Sequence, residues 1–180
     1  MTKNLSYFLI IFSGILFSSC ISNRDLLKDS KENVINLTKK NLNGNYSSYS
    51  EKGYSLWKTL YECKTLKKDT TLIYPKTLIN IEFDGNRTLK ISAIDGNQII
   101  NTIELKGKIY KDYFSIKRNL LLIPIPFLYY RHSERKVIIG NYQNGNLIVK
   151  EGQEESLWIL IAAGGSSGGS TNEYVKEIKH

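Results

Sequence analysis

A chain of 180 residues, 41% of them hydrophobic, is long enough for one globular domain that buries on the order of two-thirds of its unfolded surface. Two cysteines are too few for a disulfide-stapled scaffold. The net charge of +8 comes from lysines that stand singly or in pairs, such as Lys39-Lys40 and Lys67-Lys68, so no basic run of the nucleic-acid-binding kind is present and no nucleic-acid partner is expected.

The first twenty residues read as three zones. Lys3 supplies positive charge, Tyr7 to Phe17 form an apolar core of signal-peptide length, and Ser18-Ser19 are the small residues that a signal peptidase needs beside its cut. The run is too short for a comfortable transmembrane span. Cys20 follows the small pair directly, and Leu16-Phe17-Ser18-Ser19-Cys20 resembles the lipobox of bacterial lipoproteins, with Phe17 where that family usually has leucine. The resemblance implies removal of the signal peptide 1–19, a diacylglycerol on the Cys20 thiol and a further acyl group such as palmitate on the new amino terminus. A burial gain of roughly 0.8 kcal/mol per methylene makes one chain marginal and two or three chains a stable lipid anchor. With Cys20 modified, Cys63 is left without a disulfide partner and reads as a small buried hydrophobe. Ile21-Ser22-Asn23-Arg24 puts no aspartate beside the cysteine, which by the same resemblance implies the outer membrane of the cell envelope, facing the periplasm.

Residues 20–41 are polar apart from a few loosely spaced aliphatics, and read as the lipidated N-terminus and a tether that ends in one or two helical turns. Leu42-Asn43-Gly44-Asn45-Tyr46 then resembles the entry to lipocalin-like and fatty-acid-binding-like barrels, in which a glycine bends the chain and an aromatic ring plugs the floor. Ser55 as N-cap, with Leu56, Trp57, Leu60 and Tyr61 after it, predicts a short amphipathic helix near residues 55–62. The alternation of Trp57, Thr59 and Tyr61 leaves a strand open as the alternative.

From Thr77 onward, alternating apolar runs are joined by Asp84-Gly85, Asp95-Gly96 and Asn144-Gly145, the strongest short-range hairpin signals. The aspartates are turn formers rather than a catalytic pair. Roughly eight to ten short strands result, at Ile79–Phe83, Leu89–Ala93, Ile99–Leu105, Lys106–Tyr110, Tyr113–Arg118, Val137–Tyr142, Leu147–Lys150, Leu157–Ala162 and Tyr174–Ile178. The predicted class is all-β and mainly antiparallel: an up-and-down meander barrel, lipocalin-like, over residues 42–180, with a two-sheet β-sandwich as the alternative. Two stretches depart from this pattern. Leu120 to Tyr130 is strongly apolar yet carries Pro124 and Pro126, which suits either an edge strand or an exposed apolar lip. Gly164 to Ser170 lacks the ending of a phosphate-binding loop and reads as a flexible connection.

Catalytic chemistry has little to work with. His132 and the terminal His180 are the only histidines, no Cys/His/acid spacing matches a metal site, and Ser133 beside His132 would face the other side of a strand. Glu154-Glu155 has no partner carboxylate at a readable spacing. No enzyme, cofactor or metal is expected. Two readings remain beside the lipid bilayer that Cys20 would enter. One is a barrel that holds a small apolar or amphipathic ligand, lined by Trp57, Phe83, Tyr110, Phe114 and Phe127. The other is an accessory lipoprotein that docks on an envelope complex through the apolar proline stretch. A hollow interior favours the first, and a filled one with residues 120–130 exposed favours the second.

Overall fold

A computed structural model describes residues 34–65, 73–117, 119–125, 129–159 and 162–177. The signal segment, Cys20 and Phe127 lie outside the described residues. Within them the chain is mainly antiparallel β, with 66% strand against 11% helix, which settles the all-β class. The elements are β1 (Val34–Ile35), α1 (Lys39–Leu42), β2 (Gly44–Ser47), α2 (Leu56–Thr65), β3 (Leu78–Phe83), β4 (Thr88–Asp95), β5 (Gln98–Ile109), β6 (Tyr113–Ile116), β7 (Asn119–Ile125), β8 (Tyr129–Tyr142), β9 (Leu147–Ile159), β10 (Ala162–Tyr174) and β11 (Lys176–Glu177).

The hydrogen-bonded order is β10-β9-β8-β6-β5-β4-β3-β2-β11, with β1 and β7 added along β8. It is not closed into a barrel, which corrects the meander-barrel expectation toward the sandwich alternative. The reason lies in β5. Its first part, Gln98 to Lys106, pairs with β4, and Gly107 to Ile109 pair with β6, so one long strand passes from one sheet to the other. At the far side the chain crosses again at Val175, between Tyr174 on β9 and Lys176 on β2.

The hydrophobic core gathers side chains from both halves. Ile79, Ile81 and Phe83 of β3 and Leu89 and Ile91 of β4 meet Phe114 of β6, Val137 and Ile139 of β8 and Leu147 of β9. Phe83 and Phe114 touch edge to face, with ring centroids 5.7 Å apart, a favoured aromatic geometry. Helix α2 closes one side. Ser55 caps it, its side chain accepting from the Lys58 backbone N–H at 3.3 Å, and Leu56, Trp57, Leu60 and Cys63 fall on the buried face. The periodic apolar stripe therefore wins over the two-residue alternation that had left a strand open.

The Leu42 to Tyr46 segment turns its ring inward, though not onto the floor of a closed barrel. Tyr46 is fully buried, and its hydroxyl donates to the Leu42 carbonyl at 2.8 Å while accepting from Asn141 Nδ2 at 3.3 Å. Burial pushes its pKa up to about 12, so the phenol stays protonated and the bond persists across the physiological range. Residues 34–41, read as part of the tether, belong to the domain: β1 pairs with β8, and the Leu37 N–H donates to the Lys111 carbonyl at 3.0 Å.

The turn glycines Gly85, Gly96 and Gly145 have φ of 90°, 57° and 88°, the left-handed conformation that hairpin turns demand. Asp84 serves its turn as expected, accepting from the Asn86 and Thr88 backbone N–H groups at 2.7 and 3.1 Å, which holds its pKa below the usual range. The Gly164 to Ser170 connection is a correction. It lies inside β10, which pairs with β9 one for one from Ala162 to Tyr174. Such a strand is held by backbone bonds rather than side chains, and at Gly165 a Cβ would sit 2.8 Å from the Glu155 carbonyl oxygen.

Two glycines separate packing from composition. A Cβ at Gly107, where β5 crosses between sheets, would overlap the Ser115 carbonyl and the Phe114 ring, whereas at Gly168 it would meet nothing within 4 Å. Gly107→Ala is expected to cost about 1–3 kcal/mol and Gly168→Ala less than about 0.5 kcal/mol, read by urea unfolding of the two variants.

Candidate functional site

The core cluster contains no residue of β7, none of β8 before Val137, none of β9 beyond Val149 and none of β10 before Tyr174. The remainder of these strands forms an arm four strands wide, in the order β7-β8-β9-β10. Register defines its rows. Ile125, Tyr129, Ile159 and Ala162 form the outermost described row, followed by Pro124, Tyr130, Trp158 and Ala163, then by Ile123, Arg131, Leu157 and Gly164.

Large apolar side chains stand out into solvent along this arm. Leu122, Ile125, Trp158 and Ile159 are 49%, 48%, 39% and 47% exposed, and Leu120, Leu121, Ile123 and Leu157 are exposed as well. Pro124 sits in β7 because β7 is an added strand with β8 as its one partner among the described residues, so the missing N–H breaks no second ladder. Over residues 120–125, the part of the 120–130 stretch that lies in β7, the strand and the exposed lip are one and the same structure.

Where the arm joins the body, Arg135 ties three elements together. Its Nη1 lies 2.8 Å from Glu62 Oε2 on α2, its Nε lies 2.7 Å from Glu151 Oε1 on β9, and its Nη2 donates to Gln153 Oε1 at 3.4 Å. A planar guanidinium satisfies all three at once, which a lysine ammonium does not. The Glu151 pKa is raised, by burial first and by Glu62 in addition, with Arg135 opposing. Beside this clamp a groove of about 510 Å³ opens between α2 and β10, lined by Tyr54, Lys58, Glu62, Arg135, Glu151 and Ser166 to Ser170. The separations of 73 and 16 positions from Arg135 to its carboxylates left no mark in any local motif.

The residues nominated as ligand lining are distributed unequally. Trp57, Phe83 and Phe114 lie in the packed core, at most 3% exposed, where they fill space rather than line it. Tyr110 is 40% exposed in the β5–β6 connection and stacks on Tyr113 with centroids 4.6 Å apart. The geometry brings Phe83 and Phe114 together and leaves Tyr110 apart from them. His132 Nε2 lies 3.8 Å from Glu134 Oε2 on one face of β8, while Ser133 Oγ donates to Glu155 Oε1 at 3.4 Å across to β9. Among the described residues no three His, Cys, Asp or Glu side chains are grouped to hold a metal ion, and no helix is long and apolar enough to cross a membrane.

No protein-family model matches this chain, and none of the curated proteins or solved structures compared with it matches either.

Removing the guanidinium leaves Glu62 and Glu151, 13% and 18% exposed, facing each other without a counter-charge. Arg135→Ala is expected to cost about 2–4 kcal/mol near pH 7, less than a fully buried pair because water still reaches the carboxylates. A carboxyl whose folded pKa is raised destabilises the fold above that pKa and is relieved as pH falls through it, so the loss should shrink on acidification. Urea unfolding at neutral and mildly acidic pH reads both effects. Burial also pushes the Cys63 thiol up to about 12. Mass spectrometry after iodoacetamide treatment at pH 8 should find Cys63 unlabelled in the native protein and labelled after denaturation.

Proposed function

We propose that this protein is a lipoprotein of the cell envelope, anchored through acylated Cys20, whose β domain is a non-enzymatic docking module with the four-stranded arm as its docking element. The observation that carries the reading is the arm itself. Eight large apolar side chains between Leu120 and Ile159 are at least 36% exposed in a region that contributes nothing to the core. Monomeric domains rarely leave so many large apolar side chains uncovered in one element unless it binds something.

The ligand-carrying alternative needs an interior with room. Of its aromatics, Trp57, Phe83 and Phe114 are buried in the core, and the Phe83 and Phe114 rings meet edge to face. The envelope location rests on the lipobox resemblance, and the outer membrane facing the periplasm follows from the residues after Cys20. Lipid attachment and an apolar docking surface complement each other, since the anchor holds the arm close to its target and a weak contact then suffices.

Mass analysis of the mature protein from its own host is expected to give an amino terminus at Cys20 carrying a diacylglycerol and a further acyl chain. An unmodified terminus would remove the anchor from the reading. Native mass spectrometry of the same preparation is expected to release no stoichiometric small molecule on denaturation. Release of one would favour the ligand-carrying barrel.

A further inference from the structure

We propose that the outer rows of the arm enter the headgroup–acyl boundary of an anionic lipid bilayer. The inference rests on the arm being the docking element and names what it docks on.

Chemistry changes with position along the strands. The outermost described row (Ile125, Tyr129, Ile159, Ala162) and the next (Pro124, Tyr130, Trp158, Ala163) carry no charge. The third holds the first one, on Arg131, which is exposed. The first carboxylate belongs to Glu155, in the row of Leu121 and Ser133. At about 3.3 Å per residue, the uncharged end and the arginine row together span about 7 Å, and Glu155 stands about 13 Å behind the outermost row. Interfacial protein elements sink about 5–10 Å into this boundary. The depth without carboxylates therefore matches the depth to be filled.

The order of groups fits the same solvent. Tyr129, Tyr130 and Trp158 lie in the two outer rows, and tyrosine and tryptophan favour the interface because a flat apolar ring carries a polar tip. Arg131 comes directly behind them, where a long side chain can keep its guanidinium among phosphates. Without Lys3, lost with the signal peptide, the +8 of the full sequence becomes +7, which draws the mature chain to an anionic surface.

Two features separate a bilayer from a protein partner. Successive residues of a strand point to opposite faces, so Ile123 and Ile125 stand on one side of the sheet and Leu122 on the other, all exposed. A docked protein covers one face, whereas a fluid medium surrounds both. Backbone groups also matter, because an unpaired N–H in hydrocarbon costs several kcal/mol. Pro124 removes one such donor from β7, and a shallow insertion keeps the others hydrated.

The test uses the full, lipidated chain reconstituted into phosphatidylglycerol–phosphatidylethanolamine vesicles, with and without bromine on the acyl chains. Of the two tryptophans, Trp57 is fully buried and Trp158 is on the arm, so Trp158→Phe removes the reporter without touching the core. Bromolipid is expected to quench the wild-type emission and to leave Trp158→Phe unquenched, with both proteins unfolding at the same temperature. Equal quenching in the two, or none in either, would overturn the proposal. A photoreactive side chain at position 125, activated in native membranes, separates the failures. Adducts to lipid support the proposal. Adducts to a protein, including a second copy of this chain, would overturn the lipid partner and keep the docking reading, and adducts to neither would overturn both.

Discussion

Strand β8 is the hydrogen-bonding hub on which this architecture depends. One of its edges is taken by β9 along its whole length from Tyr129 to Asn141, and the other is divided among β1, β6 and β7. Few strands serve four partners. The arrangement forces a division of labour along one strand: Val137 and Ile139 belong to the core, while Tyr129 to Arg131 belong to the arm. Arg135 stands at the joint, and its guanidinium converts the boundary from a hinge into a braced corner by holding α2 and β9 at once. The same chain segment thus carries stability at one end and an exposed apolar surface at the other.

Much of the body was legible from local signals. Asp-Gly and Asn-Gly turns marked the hairpins because positive φ is a local demand that few residues meet, and Ser55 with the Leu56, Trp57 and Leu60 stripe marked α2, the longer of the two helices among the described residues. Tyr46 was recognisable as a buried plug. The strand at Gly164 to Ser170 was not, since glycine and serine carry no pattern of period two, and that strand exists only because β9 offers it a thirteen-residue partner. Barrel and sandwich differ in where β5 changes sheets, a matter of register between distant residues, so alternation alone left both open.

The site was legible only in part, and for a related reason. Sequence distinguishes apolar from polar but not filled from hollow, so Trp57, Phe83 and Phe114 qualified equally as lining and as core. The Leu120 to Tyr130 stretch was visible by its prolines and its length. The matching apolar segment of β9, Leu157 to Ile159, gained meaning only when register set it beside Tyr129 to Arg131. The Arg135 clamp joins three elements through side chains, and nothing local announces a partner 73 positions away.

The pairing of Val34 with Tyr142 sets where the chain leading back to Cys20 departs. That point is at the opposite end of β8 from Tyr129, thirteen strand steps away, or a contour of about 43 Å. The thirteen residues between Cys20 and Val34 reach at most about 48 Å when straight and roughly 20 Å as a coil. With the proposed anchor at Cys20 and the proposed insertion of the arm in one leaflet, only a nearly straight tether would let the molecule stand upright, and a tether of coil length would lay it along the membrane. Attachment of that kind would be bivalent, and it would carry the long edge of β10 parallel to the bilayer plane, where diffusing neighbours meet it in two dimensions.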